Sequence, residues 1–583
     1  MLSLNQMPLP LCAPHVLSSI ADALYPPPLG PPHSSDTLLS TLPLYMTRLL
    51  EGINCLPANE VLETTLLLHA LNTAVGTALI FMTPTATSFP LMPISTRQAL
   101  LNKLKKSRLQ DKRKIFQGLK RITMGTALSY SVYSEEQLVK GKEGGGKFTR
   151  KEVNPMWETI DYPGPPIVQE EKEPVITPDY SFPTKHSTTT YDYVVVGSGS
   201  GGGVAAATIM EANPSATCLV IEKGTPVTNS SFSQVESHGM GKFYEKKSLL
   251  TSSDGHMMIL AGSCLGGGST INWGCSLDTP AYVRDEWSGE LKLPQFNSKE
   301  YDDAMDHVKA RMGVHSDVTH NGMNERLIEG SDKLGYEWKV CPQNIKDTKT
   351  TSAGWTCFGS RQGNKQGGTN TWLRDYCDAG GEITYGSVLT VAKKGKTVAV
   401  RIGEEGDTEV VTFTAMQAVI VAAGSLCTPC VLERSGFKNG NIGKNLRLHP
   451  VTGVFADCTP DESEDVNEKP VDGYCGAPMT TVVTSFEMGV DNDGYGYKLE
   501  CPSAHTGVMA AAFPWADAEH FKTAMAHGRN CSAVIVLQRD VGGGTVVCGP
   551  DGFSPKVSAL RIVVRCGAFT ALTLLSLYRW TTC

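Results

Sequence analysis

The stretch "YDYVVVGSGSGGGVAAATIMEANPSATCLVIEKG" spans residues 191–224 and decides the fold. Tyr193 to Val196 form an apolar, β-branched run that is typical of a buried parallel strand. Three glycines follow at G-x-G-x-x-G spacing: Gly197, Gly199 and Gly202. Glycines at this spacing allow a tight turn, close approach of a pyrophosphate to the backbone, and close packing of a helix on a strand. A flexible glycine loop is the alternative interpretation.

The residues that follow favour a dinucleotide-binding unit over a flexible loop. Residues 203–212 are small and tolerate a helix, and Asn213-Pro214 ends that helix pattern. Thr217 to Ile221 then predicts a second strand, which ends at Glu222. Glu222 follows Gly202 by 20 residues, at the distance where an acidic side chain binds a ribose hydroxyl. The motif alone does not separate NAD from FAD.

Length and composition limit the class of protein. A chain of 583 residues with 41% hydrophobic and 19% charged residues is a globular protein of several domains. The net charge of −7 argues against a dedicated nucleic-acid binder. Seventeen cysteines without a disulfide framework indicate reduced thiols and an intracellular location. Cys427 and Cys430 form one C-x-x-C without a second pair, so we expect neither a metal site nor a redox role there.

The pattern of periodicity, proline and glycine predicts the order of the domains. Residues 1–150 are expected to form a helical extension, and residues 151–188, rich in proline, an extended linker. A Rossmann-type α/β domain follows in two parts, with an α+β substrate region inserted and a second part of that region after it. The predicted segments are 189–290 (first dinucleotide part), 291–385 (insertion), 386–455 (second dinucleotide part), 456–557 (partial substrate domain) and 558–583 (aberrant tail).

Two features of the N-terminal region bear on membrane association. Leu66 to Met82 is the most apolar segment, and its 17 residues lie at the short end of what a membrane span needs. Residues 103–122 carry nine Lys and Arg, with Ile115, Leu119 and Ile122 at helical spacing. A basic amphipathic helix of this kind lies on anionic lipid in some proteins and is a solvated helix face in others. Both membrane association and a buried helical domain therefore fit the sequence.

A second glycine cluster favours FAD over NAD. In "LAGSCLGGGSTINWGCSLDTP", residues 260–280, three glycines are followed by Ser269 and Thr270, which gives an exposed polar backbone able to pack against a flat ring system. Asn272 adds a side-chain amide. A nicotinamide dehydrogenase has no need for a second such loop, whereas a cofactor with a tricyclic head would use it. "AVIVAAG", residues 418–424, predicts a further buried strand that ends at small residues beside the cofactor.

These stretches together resemble the glucose-methanol-choline family of FAD oxidoreductases, and within it the long-chain fatty alcohol oxidases. The second glycine cluster is similar to the first signature of that family, and "GSLCTPCVLERSG" (424–436) to the second. Further stretches resemble the alcohol oxidase branch: "LSSIADALYPP" (17–27), "NPMWETIDYPGP" (154–165), "GNKQGGTNTWLRD" (363–375), "NIGKNLRLHP" (441–450) and "VLQRDVGGGTV" (536–546).

The resemblance implies an FAD enzyme that oxidises a long-chain primary alcohol to an aldehyde. Hydride would pass from the alcohol to flavin N5, and oxygen would then accept the electrons and give hydrogen peroxide. A long apolar substrate would be consistent with membrane association. The residues predicted to bind FAD are Val196, Gly197, Ser198, Gly199, Gly202, Gly203, Glu222, Gly266, Gly267, Gly268, Ser269, Asn272 and Gly424.

The chain departs from the family after residue 557. The family places a catalytic histidine near the C-terminus, paired with a second histidine or an asparagine, but residues 558–583 contain neither residue type. We expect an incomplete or misread product, from a frame change, a retained intron or a truncated gene model. The histidines upstream are expected to be structural or exposed, so none is assigned as catalytic: His449, His505, His520 and His527. The alternatives are an inactive flavin-binding relative and another FAD or NAD dehydrogenase.

Overall fold

A computed structural model describes residues 12–24, 44–54, 58–142, 146–169, 173–253, 257–392, 394–404, 407–459, 470–549 and 551–558. The predicted tail therefore lies, except for Ser558, outside the described residues. The helices are α1 (Ala13–Leu24), α2 (Tyr45–Asn54), α3 (Ala58–Leu71), α4 (Ala74–Phe81), α5 (Ile94–Lys105), α6 (Gln110–Ser129), α7 (Glu135–Lys140), α8 (Arg150–Val153), α9 (Pro155–Thr159), α10 (Ser200–Ala212), α11 (Glu236–Phe243), α12 (Gly268–Ile271), α13 (Ala281–Gly289), α14 (Lys299–Arg311), α15 (Gly322–Leu334), α16 (Trp372–Asp378), α17 (Gly424–Arg434), α18 (Thr506–Ala512) and α19 (Ala518–Ala526).

Strands and short 3₁₀ helices complete the secondary structure. The strands are β1 (Thr190–Val196), β2 (Cys218–Glu222), β3 (Trp338–Val340), β4 (Glu382–Tyr385), β5 (Ser387–Ala392), β6 (Thr397–Glu404), β7 (Asp407–Val421), β8 (Val451–Asp457), β9 (Thr481–Val483), β10 (Tyr497–Glu500), β11 (Cys531–Gln538), β12 (Thr545–Cys548) and β13 (Pro555–Ser558). The 3₁₀ helices are Phe89–Leu91, Pro166–Val168, Asn229–Ser231, Glu245–Ser248, Pro294–Asn297, Thr351–Phe358, Gly368–Asn370 and Gly528–Asn530.

The chain divides into two compact units. One, the helical unit, is formed by residues 1–171, 235–241 and 504–531; the other, the sheet unit, is formed by residues 172–234, 242–503 and 532–583. The predicted helical extension is thus joined by two segments from later in the chain. Residues 504–531, which the sequence pattern assigned to the substrate region, belong to the helical unit in the structure. Sequence periodicity cannot show this assignment because the contacts join distant segments.

The sheet unit contains a six-stranded sheet in the order β4-β2-β1-β7-β6-β5. Strands β4, β2, β1 and β7 run parallel. β6 pairs antiparallel with β7, and β5 pairs antiparallel with β6. The predicted α/β class with a parallel sheet and N-terminal helices is confirmed. β4 pairs with β2 and so belongs to this sheet, although its residues were assigned to the end of the 291–385 insertion.

A second sheet of five strands, in the order β3-β9-β10-β11-β8, lies in the same unit. Its registered neighbours are antiparallel: β3 with β9, β9 with β10, and β10 with β11. β3, β9, β10 and β11 come from the regions predicted to form the α+β substrate part, whereas most of β8 falls in the segment 386–455 predicted for the dinucleotide domain. A separate antiparallel hairpin joins β12 to β13. The sheet unit thus combines a nucleotide-type sheet with an antiparallel sheet.

The predicted linker is partly helical. Asn154 begins α9 because its side chain accepts a hydrogen bond from the Met156 N–H at 2.9 Å, and Pro155 occupies the first helical position. Trp157 is buried and donates its indole N–H to the Leu128 carbonyl at 2.9 Å. The expectation of an extended linker from residue 151 was therefore wrong for its first part. Two of the prolines that suggest a linker, Pro155 and Pro166, stand at the first positions of helices.

The apolar segment 66–82 does not form one straight helix. α3 ends at Leu71, and α4 begins after Thr73, whose side chain accepts from the Gly76 N–H. The pair 64–71 and 74–81 is bent by 114°. Among the described residues, no single helix has the length and apolar character needed to cross a membrane, although this bent pair meets both conditions when taken together.

Candidate functional site: two glycine loops at the strand ends

The first glycine loop begins where β1 ends. Val196 is buried and pairs with Ile221 of β2 and Val421 of β7. Gly197 has φ +100°, and a Cβ there would lie 2.4 Å from the Ala422 carbonyl oxygen. Only glycine fits such a backbone at such a contact. The carboxyl ends of β1, β2 and β7 therefore meet at this turn, which is the edge where parallel α/β sheets bind ligands.

The remaining glycines of this loop serve the packing of α10. A Cβ on Gly202 would lie 1.9 Å from the Gly197 carbonyl oxygen, so a side chain is excluded there. Gly203 is also buried and faces Leu373 of α16. Gly199 is the N-cap residue of α10. The first N–H groups of a helix have no partner within the helix, so the 13-residue α10 offers them at its start to an anionic group.

Glu222 holds the first loop in place through hydrogen bonds. It is 6% exposed, and its Oε2 accepts hydrogen bonds from the Ser198 N–H at 2.9 Å and the Ser198 hydroxyl at 2.6 Å. Its Oε1 accepts from the Gly224 N–H at 2.6 Å. A carboxylate has about four acceptor positions, so one remains on Oε1 for a ribose hydroxyl. The expected ribose contact is compatible with this arrangement, and the structure adds a loop-holding role.

The second glycine loop touches the first. The Ser198 hydroxyl oxygen accepts a hydrogen bond from the Gly266 N–H at 3.0 Å. Gly267 has φ +55°, and a Cβ on it would lie 2.9 Å from Gly199 Cα. Gly268, the first residue of α12, is exposed, and a Cβ there would meet nothing within 4 Å. The structure thus brings the two predicted loops together into one backbone cradle.

Ser269 and Asn272 stabilise the second loop. The buried Ser269 hydroxyl donates to the Gly266 carbonyl at 2.7 Å and accepts from the Gly368 N–H at 2.9 Å. Asn272 is exposed, and its Oδ1 accepts from the Gly274 N–H at 3.3 Å. The hydroxyl hydrogen of Ser269 is used inside the protein. Its bonds assign it to holding the loop, whereas exposed Asn272 stays available to a ligand.

One contributor to the cradle was missed as a site residue. Gly367 packs so closely on the second loop that a Cβ would lie 2.1 Å from the Ser269 carbonyl oxygen. The adjacent Gly368 donates its N–H to Ser269, as described above. The sequence signal is the Gly367-Gly368 pair inside "GNKQGGTNTWLRD". That stretch supports the family resemblance, but it carries no predicted site residue. Two adjacent glycines in a polar stretch indicate a close backbone approach.

The strand that precedes Gly424 is less buried than predicted. β7 ends at Val421, and residues 418–423 are half-buried, whereas the β-branched run predicted full burial. Residues 418–423 therefore keep part of their surface open in the described structure. Gly424 has φ +78° and is exposed at the start of α17. It lies at the same end of β7 as Ala422, which contacts Gly197.

The candidate histidines occupy varied environments. His505 is 1% exposed, and its Nδ1 lies 2.9 Å from the Tyr162 hydroxyl. His520 is exposed and stacks on Phe513 with ring centroids 5.5 Å apart, and His449 is exposed. His527 is half-buried. These positions agree with structural or surface roles, and no catalytic base is assigned. Within the described residues, no cluster of His, Cys, Asp or Glu is arranged to hold a metal ion.

Comparison with known proteins identifies the relatives of this chain. A family model described as GMC oxidoreductase matches residues 191–451. The long-chain-alcohol oxidase FAO4A of Arabidopsis thaliana is 38% identical over 367 residues, covering 61% of this chain and 49% of the relative. FAO3 of the same plant is 34% identical, covering 61% and 48%. The chain thus spans about half the length of the curated relatives it matches.

Solved structures give a weaker likeness. A formate oxidase from Aspergillus oryzae RIB40 is 15% identical, with a TM-score of 0.44, over 65% of this chain and 78% of that one.

Proposed function

We propose that the protein oxidises long-chain primary alcohols to aldehydes, with oxygen as the electron acceptor and hydrogen peroxide as the second product. The match of residues 191–451 to the GMC oxidoreductase family model supports this proposal. FAD is the cofactor of this domain family. The substrate class is taken from the similar long-chain-alcohol oxidases of Arabidopsis thaliana. The observation that carries the proposal is the cradle in which Gly267 meets Gly199 beside the start of α10.

The residues present fit FAD at this cradle. The start of α10 would bind the pyrophosphate through backbone N–H groups, and Glu222 would accept a ribose hydroxyl at its remaining Oε1 position. The second loop, held by Ser198 and Ser269, presents backbone at Gly267 and Gly268 without side chains. When bound, FAD supplies the hydride acceptor for the alcohol carbon. The protein's own task at this site is to bind and orient the cofactor.

The visible absorption spectrum of the purified full chain tests this proposal. The spectrum is recorded before and after a long-chain primary alcohol is added without oxygen. Bound yellow flavin that bleaches supports alcohol oxidation, and peroxide release after air is readmitted supports oxygen as the acceptor. Bound flavin that does not bleach overturns the activity of this chain while keeping the cofactor site. A protein that binds no added FAD overturns both.

We also propose that α4 places the protein on a lipid surface. Val75, Leu79 and Met82 are 72%, 72% and 67% exposed and follow one another at helical spacing; we call them the α4 stripe. Lys103 adjoins this stripe, since its Nζ donates to the Met82 carbonyl at 3.1 Å. Exposed apolar side chains bordered by lysine are the composition of a helix that lies in a membrane interface with anionic lipid.

A further inference from the structure

Two cysteines that are far apart in sequence meet beside α17. Cys430 is 1% exposed on α17, and the half-buried Cys548 ends β12. The Cys548 thiol donates to the Cys430 carbonyl oxygen at 3.5 Å, and the Cys430 thiol donates to the Leu426 carbonyl oxygen at 3.6 Å. The two thiols are close enough for Cys548 to raise the pKa of Cys430. The C-x-x-C pattern pointed to Cys427 as the neighbour of Cys430. In the structure Cys427 instead lies 3.6 Å from the Lys223 Nζ.

A fixed positive charge stands next to this pair. The Arg434 Nη1 lies 3.9 Å from the Cys548 Sγ. The same guanidinium donates to the backbone carbonyls of Val388 and Gly552, each at 2.9 Å. These bonds hold the guanidinium in place beside the Cys548 sulfur. A partly exposed thiol beside an arginine is the setting of oxidation-sensitive cysteines.

We propose that Cys548 and Cys430 form an oxidation site that reacts with hydrogen peroxide to give a disulfide. The Cys548 sulfur attacks one peroxide oxygen, the O–O bond breaks, and Cys548 becomes a sulfenic acid. The other oxygen leaves as hydroxide and takes up the Cys548 thiol proton, which gives the first water. The Cys430 sulfur then attacks the Cys548 sulfur, the S–O bond breaks, and the hydroxyl leaves as water with the Cys430 proton. Two thiols are oxidised, and one peroxide is reduced to two waters.

The environment assigns different roles to the two thiols. Burial, and after it the neighbouring Cys548 thiol, raises the pKa of Cys430 well above the usual value of a thiol. Cys430 therefore stays protonated and inside the core, where peroxide arrives last, and it serves as the resolving thiol. Cys548 is half-buried and meets the oxidant first. The resulting bond would tie the β12–β13 hairpin to the helix that begins at Gly424, at the proposed cofactor edge of the sheet.

The source of the oxidant rests on the proposed function, because alcohol oxidation with oxygen would release peroxide in this protein. The test does not need that activity. The purified full chain, first reduced and freed of reductant, is treated with added hydrogen peroxide, its remaining thiols are alkylated, and it is digested with trypsin. Cys427 and Cys430 share the peptide 402–434, and Cys548 is the only cysteine of 540–556. Mass spectrometry is expected to find these two peptides joined, with the loss of two hydrogen atoms.

Variants identify the partner within the shared peptide. Cys427→Ser is expected to leave the crosslink unchanged, whereas Cys430→Ser and Cys548→Ser abolish it. A crosslink that disappears in Cys427→Ser but persists in Cys430→Ser overturns the assignment. Wild-type protein whose two peptides stay separate after peroxide treatment also overturns it, and that result needs no variant to fold. If alcohol oxidation fails while added peroxide still forms the crosslink, the oxidation site stands and only its internal source of peroxide is lost.

Discussion

At the scale of single residues, the spacing of the glycines could be predicted because it is local to the chain, whereas the bonds between the loops could not. Gly197, Gly199 and Gly202 lie within six residues of one another, so their motif can be recognised directly in the sequence. The hydrogen bond from Gly266 to Ser198 joins residues 68 positions apart. Glu222 was predicted from its distance to the motif, but its bonds to Ser198 follow only from the three-dimensional turn. Residue types show which chemistry is available, and tertiary contacts decide how it is used.

Replacement of Glu222 by glutamine tests its loop-holding role. An amide places an N–H₂ group against the N–H donors of Ser198 or Gly224, and the donor that faces it loses its acceptor. The lost hydrogen bond is expected to reduce the free energy of unfolding by about 1–3 kcal/mol. Thermal unfolding of the full chain measures this as a lower melting temperature. Glu211→Gln, an exposed change on α10, is the matched control, and equal melting temperatures for both variants would contradict the role.

Gly267 and Gly268 form a second matched pair. An alanine at position 267 would have to adopt φ +55°, and its Cβ would lie 2.9 Å from Gly199 Cα. A Cβ at position 268 would meet nothing within 4 Å. The left-handed conformation alone costs about 1–2 kcal/mol in a residue with a side chain. We expect Gly267→Ala to weaken FAD binding about tenfold or more, since about 1.4 kcal/mol corresponds to tenfold. Titration with FAD measures it, and equal affinity in Gly267→Ala and Gly268→Ala would refute the cradle.

At the scale of elements, the sequence predicted what periodicity and local punctuation control. β1, α10 and β2 lie close to their expected positions, and Asn213 caps α10 as expected. β4 was misplaced because its partner β2 lies some 160 residues earlier, and strand pairing leaves no local mark. The bend between α3 and α4 was also missed. Gly76 makes that bend feasible, because any Cβ there would lie 2.3 Å from the Ala70 carbonyl oxygen.

The α4 stripe predicts how the N-terminal helices meet lipid. Replacing Val75, Leu79 and Met82 by serine removes apolar area that is already exposed, so folding is expected to change little. Burial of such side chains contributes roughly 1.5–3 kcal/mol each where it is complete. Co-sedimentation with vesicles that contain anionic phospholipid is therefore expected to fall at least tenfold.

A control variant with three similarly exposed apolar residues replaced distinguishes binding through the α4 stripe from nonspecific hydrophobic adsorption to vesicles. Val410, Met416 and Val490 are 61%, 59% and 79% exposed and lie in the sheet unit. Their replacement by serine is expected to leave vesicle binding unchanged. Equal losses in the two triples would mean that the α4 stripe has no special part in lipid binding, and binding that persists in the α4 triple would exclude it outright.

At the scale of the whole molecule, each unit contains a lysine and a glutamate whose pKa values burial shifts to about 7. In the helical unit, burial lowers the pKa of Lys120 to about 7 and raises that of Glu236 to about 7. In the sheet unit, burial acts in the same directions on Lys365 and Glu500, again to about 7. The Lys120 Nζ donates to the Phe513 carbonyl, and Glu236 accepts from the N–H groups of Gly507 and Val508. These bonds tie the segment 504–531 into the helical unit, an arrangement that no local pattern could predict.

These four groups predict an unusual dependence of stability on pH. Between about pH 4.5 and 7 a buried glutamate with raised pKa binds more protons folded than unfolded, so its contribution to stability is lost as pH rises. Between about pH 7 and 10.5 a buried lysine with lowered pKa binds fewer protons folded than unfolded, so stability rises with pH. The contribution of the four groups to stability therefore has its minimum near pH 7, with a limiting slope of about 1.4 kcal/mol per pH unit for each group.

The variant Lys120→Met with Glu236→Gln removes half of this dependence without touching the glycine loops. We expect its melting temperature to vary less with pH than that of the wild type on both sides of neutrality, and the difference between the two proteins to be largest near pH 7. Thermal unfolding from pH 5 to pH 9.5 measures both curves, and Lys140→Met with Glu136→Gln, an exposed ion pair on α7, is the control. Parallel curves for wild type and the buried variant would contradict the prediction, because they would show that Lys120 and Glu236 do not set the pH dependence of stability.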